Sequence, residues 1–218
     1  MTPPPSSVAS SLEETALLRA MAAIAPSGVQ VGCRLIREGD EAHLLPEEAL
    51  SIPARQPAMR RASGAARWIA HGLLADIGFN DFTILRAPSG APAWPRGITG
   101  SLAHDNEMAV AAVAPASDIG SLGIDVEPAQ PLPDDILALV ATHADVTDAL
   151  DRDLAGRILF SAKEAVYKAV YPLDRQILGY EDIAVDLNAG FATTTTGRRA
   201  RLAYCVAPRV VVLAFVPG

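Results

Sequence analysis

The stretch Leu122-Gly123-Ile124-Asp125-Val126-Glu127 has the pattern of a buried strand that ends in two acids. Alternate side chains of a strand share a face, so Asp125 and Glu127 point one way and Val126 the other. Two carboxylates on one face repel each other unless a cation lies between them. The strand end is therefore expected to form half of a divalent-metal site. Other segments must then supply a third acid and partners for phosphate.

The third acid is sought in Phe160-Ser161-Ala162-Lys163-Glu164-Ala165-Val166-Tyr167-Lys168. Glu164 and Lys168 fall at i and i+4, on one helix face. Such a pair can be a surface ion pair contributing roughly 0.3–0.5 kcal/mol. Ser161-x-x-Glu164 can also be a capping box, if the helix starts at Ser161. The apolar stripe Leu154, Ile158, Leu159, Ala162 and Ala165 runs through that point, so the helix is expected to start near Asp151 and run to Tyr171. Taken with Asp125 and Glu127, three acids and a lysine match a hard-cation site, where Mg²⁺ takes a few carboxylate oxygens and completes its shell with water and phosphate.

Moving outward, Pro57 precedes a helix from Met59 to Ile77, stopped by Gly78. Arg60, Gly64, Arg67 and His71 form one stripe on it. The stripe is either a solvated face or a place where Arg60 and Arg67 hold a phosphate. Residues 86–97 are rich in Pro and Gly and read as loop. Strands are expected at Ile98–Leu102 and Met108–Val113, around a polar turn containing His104. That histidine can be an ordinary turn residue or a donor to phosphate. A helix over Leu12–Ala25, a short one after Leu44-Leu45-Pro46 and strands at Val29–Leu35 and Phe82–Leu85 complete the first half. Residues 115–118 mark the internal boundary. Beyond them come the strand with the two acids, a short helix from Asp134, the long helix, and strands at Ile183–Leu187, Arg201–Ala207 and Val210–Val216. The expected organisation is a flexible tail over 1–10, an N-terminal half over 11–117 and a C-terminal half over 118–218. Each half is α+β, with a small antiparallel sheet.

Composition limits the function classes. The chain has 218 residues, 50% hydrophobic and 20% charged, with a net charge of −7. Non-specific binding to nucleic acid or to an anionic membrane is not expected. No apolar run is long enough for a membrane span, and the first ten residues lack a signal-peptide pattern. Cys33 and Cys205 are expected to be free thiols in a reducing cytoplasm. A monomer is expected.

Several of these stretches together resemble the 4'-phosphopantetheinyl transferases of the Sfp type, close to the siderophore-synthetase (enterobactin) branch. They are LLPEE at Leu44–Glu48, the arginines Arg60 and Arg67, WPxGxxGSLxH from Trp94 to His104, GIDVE at Gly123–Glu127, and LFSAKEAVYKAVYP at Leu159–Pro172. The resemblance implies two similar α+β halves related by a pseudo-two-fold, with coenzyme A in the cleft between them. It implies Mg²⁺-dependent transfer of 4'-phosphopantetheine from coenzyme A to a serine of an acyl or peptidyl carrier protein, with release of 3',5'-ADP. Carried over, Asp125, Glu127 and Glu164 hold Mg²⁺, and Lys168 contacts the diphosphate. Arg60, Arg67 and His104 contact coenzyme A phosphates, and Ala91-Pro92 lie near the adenine. Glu164 or a metal-bound water takes the serine proton. Two positions depart from the family pattern. Ala103 stands where a hydroxyl residue is common, leaving only backbone there, and Ala91 replaces a longer polar residue. A docking face for the carrier is expected over residues 131–146. The alternatives are a metal-dependent phosphodiesterase using Lys163 or Lys168, and a non-catalytic coenzyme A or carrier-binding module.

Overall fold

The computed structural model describes residues 5–53, 56–147 and 152–218, with the backbone alone over 5–11 and at 152. Helix α1 (Pro5–Ile24) leads to β1 (Gln30–Leu35), a 3-10 turn (Asp40–His43), α2 (Pro46–Ser51) and α3 (Pro57–Asp76). Strands β2 (Ile98–His104) and β3 (Met108–Pro115) complete a first sheet in the order β1-β3-β2. Next come β4 (Ile119–Pro128), α4 (Asp134–Val140), α5 (Arg152–Asp174), β5 (Ile183–Asp186), β6 (Phe191–Thr194), β7 (Arg199–Cys205) and β8 (Arg209–Pro217). They build a second sheet in the order β4-β8-β7-β6-β5. Every strand pairing is antiparallel. The result is two pseudo-symmetric α+β lobes, each a sheet with a long helix packed on it, α3 in the first and α5 in the second. Among the described residues, no helix is long and apolar enough to cross a membrane.

The two faces of β4 do different work. Leu122, Ile124 and Val126 are buried in a core shared with Leu17 and Met21 of α1, Val110 and Ala112 of β3, and Val211 and Leu213 of β8. Each such aliphatic side chain contributes roughly 1.5–3 kcal/mol by leaving water. The other face, with Gly123, Asp125 and Glu127, meets α5. Gly123 is what lets α5 approach. A Cβ built there would overlap the Ala165 carbonyl oxygen and stand 2.8 Å from the Ala169 nitrogen.

Three expectations need correction. Residues 82–85 are not a strand. Side chains replace the sheet ladder there: Ile84 N–H donates to Glu48 Oε1 (2.7 Å), and Arg67 Nε donates to the Ile84 carbonyl (2.9 Å). Strand β6, Phe-Ala-Thr-Thr, was not anticipated. Its run is only four residues long and half polar, so it carries little periodic signal. The backbone is helical from Pro5, inside the segment expected to be a loose tail, while residues 1–4 lie outside the described residues.

Candidate active site

The helix register of α5 brings four polar residues to one stripe: Arg157, Ser161, Glu164 and Lys168. With no Cβ at Gly123 between helix and strand, this stripe faces the acids of β4. Lys168 Nζ donates to Asp125 Oδ1 (2.7 Å) and to the Ile124 carbonyl (3.1 Å). Arg157 Nη1 pairs with Glu127 Oε2 (2.7 Å), and its Nε and Nη2 hold the carbonyls of Gln130 and Pro131 (3.1 and 3.0 Å). Glu164 Oε1 accepts from the Tyr180 hydroxyl (2.9 Å). Glu164 and Lys168 are thus not an i,i+4 surface pair. Each reaches a different partner across the site. Ser161 is internal to α5, as the apolar stripe requires, and not a cap.

The electrostatics is that of two acids lacking enough positive charge. Asp125 is 7% exposed, and its Oδ2 is buried without a partner. Burial and then the Asp125 carboxylate push the Glu127 pKa up to about 6, against the pull of Arg157. Burial, the hydrogen bond to Glu164 and the nearby carboxylates push the Tyr180 hydroxyl above its ordinary value, so it stays a donor. Among the described residues, no three acids, histidines or cysteines stand close enough together to hold a metal ion as they are. Asp125 Oδ2 and the raised Glu127 nonetheless fit a hard cation, since an added positive charge would satisfy both.

Next to this cluster lies a cleft of about 440 Å³, lined by Arg67, Arg86, Pro92, Ala103 and His104 together with the apolar Ile52, Pro53 and Met59. Arg67 is buried and anchored to the Ile84 carbonyl. Burial lowers the His104 pKa, and Lys168 lowers it further, against Asp105 and Asp125. His104 therefore faces the cleft and feels the acid–lysine cluster at once. It ends β2 and does not sit in the following turn. The arginine stripe of α3 is no solvated face. Gly64 packs on the Asp40 backbone, Arg67 points into the protein, and His71 Nε2 lies 2.8 Å from Glu48 Oε1. Arg60 turns back to the Ala49 carbonyl (3.4 Å) and is not among the cleft-lining residues. Ala91 lies in the same loop as Pro92, with its carbonyl accepting from Ala87 N–H. A larger hollow of about 670 Å³ lies between α1, α3 and the free edge of β1, away from these charges.

Three site residues escape a reading of the sequence. Arg157 was within reach, since it stands two helical turns before Glu164. Arg86 lies in a loop and Tyr180 opens a three-residue 3-10 turn (Tyr180–Asp182), both too short for periodicity to announce them. Lys163, in contrast, leaves the list of candidates. It is fully buried, pairs with Asp145 (2.8 Å), and donates to the Val140 and Tyr180 carbonyls (2.9 Å each). It cannot reach a phosphodiester.

Two α+β lobes with a cationic cleft beside a carboxylate–lysine cluster make a candidate site for an anionic ligand. The particular family follows from comparison. The model of the 4'-phosphopantetheinyl transferase N-terminal domain matches residues 46–114, and that of the 4'-phosphopantetheinyl transferase superfamily matches residues 121–214. The chain is 36% identical over 182 residues to the 4'-phosphopantetheinyl transferase Npt of Nocardia iowensis, covering 80% of each chain. It is 40% identical over 162 residues to PptT of Mycobacterium tuberculosis, covering 72% of this chain and 69% of the relative. It is 39% identical over 164 residues to Svp of Streptomyces mobaraensis, covering 69% of this chain and 64% of that relative. The chain belongs to the 4'-phosphopantetheinyl transferase family. These similarities reach the family and stop short of the enterobactin branch.

Proposed function

We propose that this protein transfers the 4'-phosphopantetheine group of coenzyme A to a serine hydroxyl of an acyl or peptidyl carrier domain. The observation that carries this is the meeting of the cationic cleft (Arg67, Arg86), bordered by His104, with the Asp125–Lys168 pair. A diphosphate needs positive charge along its length and a neutralised leaving oxygen. Arg67 and Arg86 would bind the phosphates at the outer end, with His104 and Lys168 nearer the reacting phosphorus. Arg60, one turn before Gly64 on α3, stays a candidate phosphate contact, and Ala91-Pro92 and the Ala103 backbone would border the nucleotide. Asp125, Glu127 and Glu164 would hold Mg²⁺, which when bound supplies the positive charge that three acids beside a diphosphate require. In the transfer, the serine oxygen forms a bond to the phosphorus bearing pantetheine, the bond from that phosphorus to the bridging oxygen breaks, and 3',5'-ADP leaves. Either Glu164, which accepts a hydrogen bond from Tyr180, or a water on the metal would accept the serine proton. The same reading has the protein act in the cytoplasm as a monomer, and the two free cysteines favour the first. It has carriers dock over residues 131–146, where Leu139 is 71% exposed.

The test is mass spectrometry of apo carrier domains incubated with coenzyme A and Mg²⁺. The expected result is a carrier heavier by one phosphopantetheine. Asp125→Ala should abolish the gain while circular dichroism stays that of the wild type. No gain on any of several acyl and peptidyl carriers would overturn the proposal.

A further inference from the structure

Arg209 opens β8, in register with Pro128 and next to the Val210–Glu127 pair. It is 7% exposed, and each guanidinium nitrogen meets a different carboxylate. Nε pairs with Glu13 of α1 (3.1 Å), Nη1 with Asp105 Oδ2, and Nη2 with Glu107 Oε2 (2.6 Å). Three acids from the N-terminal half thus converge on one cation from the C-terminal half. Glu107 is 71% exposed and Glu13 33%, so Asp105, at 7%, is the partner that Arg209 holds inside the protein.

Asp105 explains the arrangement. Its Oδ1 closes the β2–β3 turn, accepting from the N–H groups of Glu107 and Met108 (2.7 Å each). Its Oδ2 is the oxygen held by Arg209. His104 immediately precedes it, with Nδ1 3.2 Å from the Asp105 carbonyl. One carboxylate therefore sets the turn that follows His104 and fixes that turn to β8. Strand β8 is hydrogen-bonded to β4, which carries Asp125 and Glu127. The path from Arg209 through Asp105 links the histidine of one lobe to the acids of the other.

We propose that Arg209 is a positioning residue that sets, through Asp105, the separation between His104 and the Asp125–Glu127 pair, and so the affinity for coenzyme A. This rests on the transferase reading above. A side chain displaced by about 1 Å at such a site weakens binding or rate by tenfold or more.

The experiment compares Arg209→Lys, Asp105→Asn and Glu13→Gln with the wild type. Asn at 105 keeps an oxygen to close the turn and loses the carboxylate that Arg209 holds. Glu13→Gln removes the arm that leads to α1 and not to His104. Coenzyme A affinity is measured by calorimetry, and hydrogen exchange is followed at the Glu107 and Met108 amides. Arg209→Lys and Asp105→Asn should weaken coenzyme A binding about tenfold or more and speed exchange at both amides, raising KM for coenzyme A more than they lower kcat. Glu13→Gln should leave the affinity unchanged. If both tether variants bind coenzyme A like the wild type, Arg209 only stabilises the fold and the proposal is overturned. Asp105→Asn decides the matter if Arg209→Lys does not fold. A wild-type protein that takes up no coenzyme A would instead overturn the transferase reading itself.

Discussion

Glu127 sits between opposing influences, and its chemistry is the most condition-dependent in the site. Burial and Asp125 push its pKa up to about 6, while Arg157 pulls the other way. Only the ionised carboxylate can bind a cation. Mg²⁺ affinity measured by calorimetry is therefore expected to be flat above about pH 7 and to fall about tenfold per pH unit well below pH 6. An affinity that stays flat down to pH 5 would remove Glu127 from the ligand set. The effect on stability has the opposite sign to that of most acids. The folded pKa lies above the unfolded value of about 4.3, so the metal-free fold gains from this group as pH falls from about 6 toward that value. Glu48 behaves in the usual way. Burial would raise its pKa, but hydrogen bonds from His71 and from the Leu45 and Ile84 amides outweigh it and hold the carboxyl low. Its contribution is present above the unfolded pKa and is lost as pH drops through the folded one.

At the scale of elements, the site depends on how closely α5 lies on β4. The atoms that a Cβ at Gly123 would meet are backbone atoms of the helix, so they cannot rotate aside. Gly123→Ala is expected to cost about 2–3 kcal/mol in urea unfolding. Because Glu164 and Lys168 are carried on α5, it should also slow transfer about a hundredfold. A variant that unfolds earlier but transfers at the wild-type rate would show that the chemistry tolerates a displaced helix. The corresponding joint in the first lobe is Glu48, fully buried, which ties α2 to Ile84 and through its carbonyl to Arg67. Glu48→Gln should cost about 3 kcal/mol at pH 7 and raise KM for coenzyme A, as urea titration and steady-state kinetics will report. These joints explain what was legible beforehand. The alternation around Asp125 and the stripe through α5 are periodic, so strand and helix could be read directly. The pairing of Lys168 with Asp125 rather than Glu164 could not, because it depends on the register of two elements distant in sequence. Residues 82–85 look like a strand by composition, but their backbone is satisfied by Glu48 and Arg67, which composition does not reveal. Arg86 lies in a loop and Tyr180 in a three-residue 3-10 turn, where tertiary contacts alone give them meaning.

At the scale of the whole molecule, the two lobes share one core. The apolar face of β4 packs with α1, β3 and β8, so neither sheet is covered without the other lobe. Arg209 adds ion pairs across the same boundary. The cleft is lined by the first lobe and the acid–lysine cluster beside it belongs to the second, so their spacing holds only if the lobes do not move apart, and this core provides that. It follows that the lobes should unfold together. Both tryptophans, Trp68 and Trp94, belong to the first lobe, so their fluorescence reports that lobe, whereas far-ultraviolet dichroism reports α5 as well. The two urea transitions are expected to coincide. Ile124→Ala, a truncation in the second lobe's own strand, should lower both midpoints equally, at a cost of about 3 kcal/mol. Fluorescence that holds its midpoint while the dichroism moves would mean that the lobes are independent. The spacing between the cleft and the acid–lysine cluster would then have to be set by the ligand rather than by the fold.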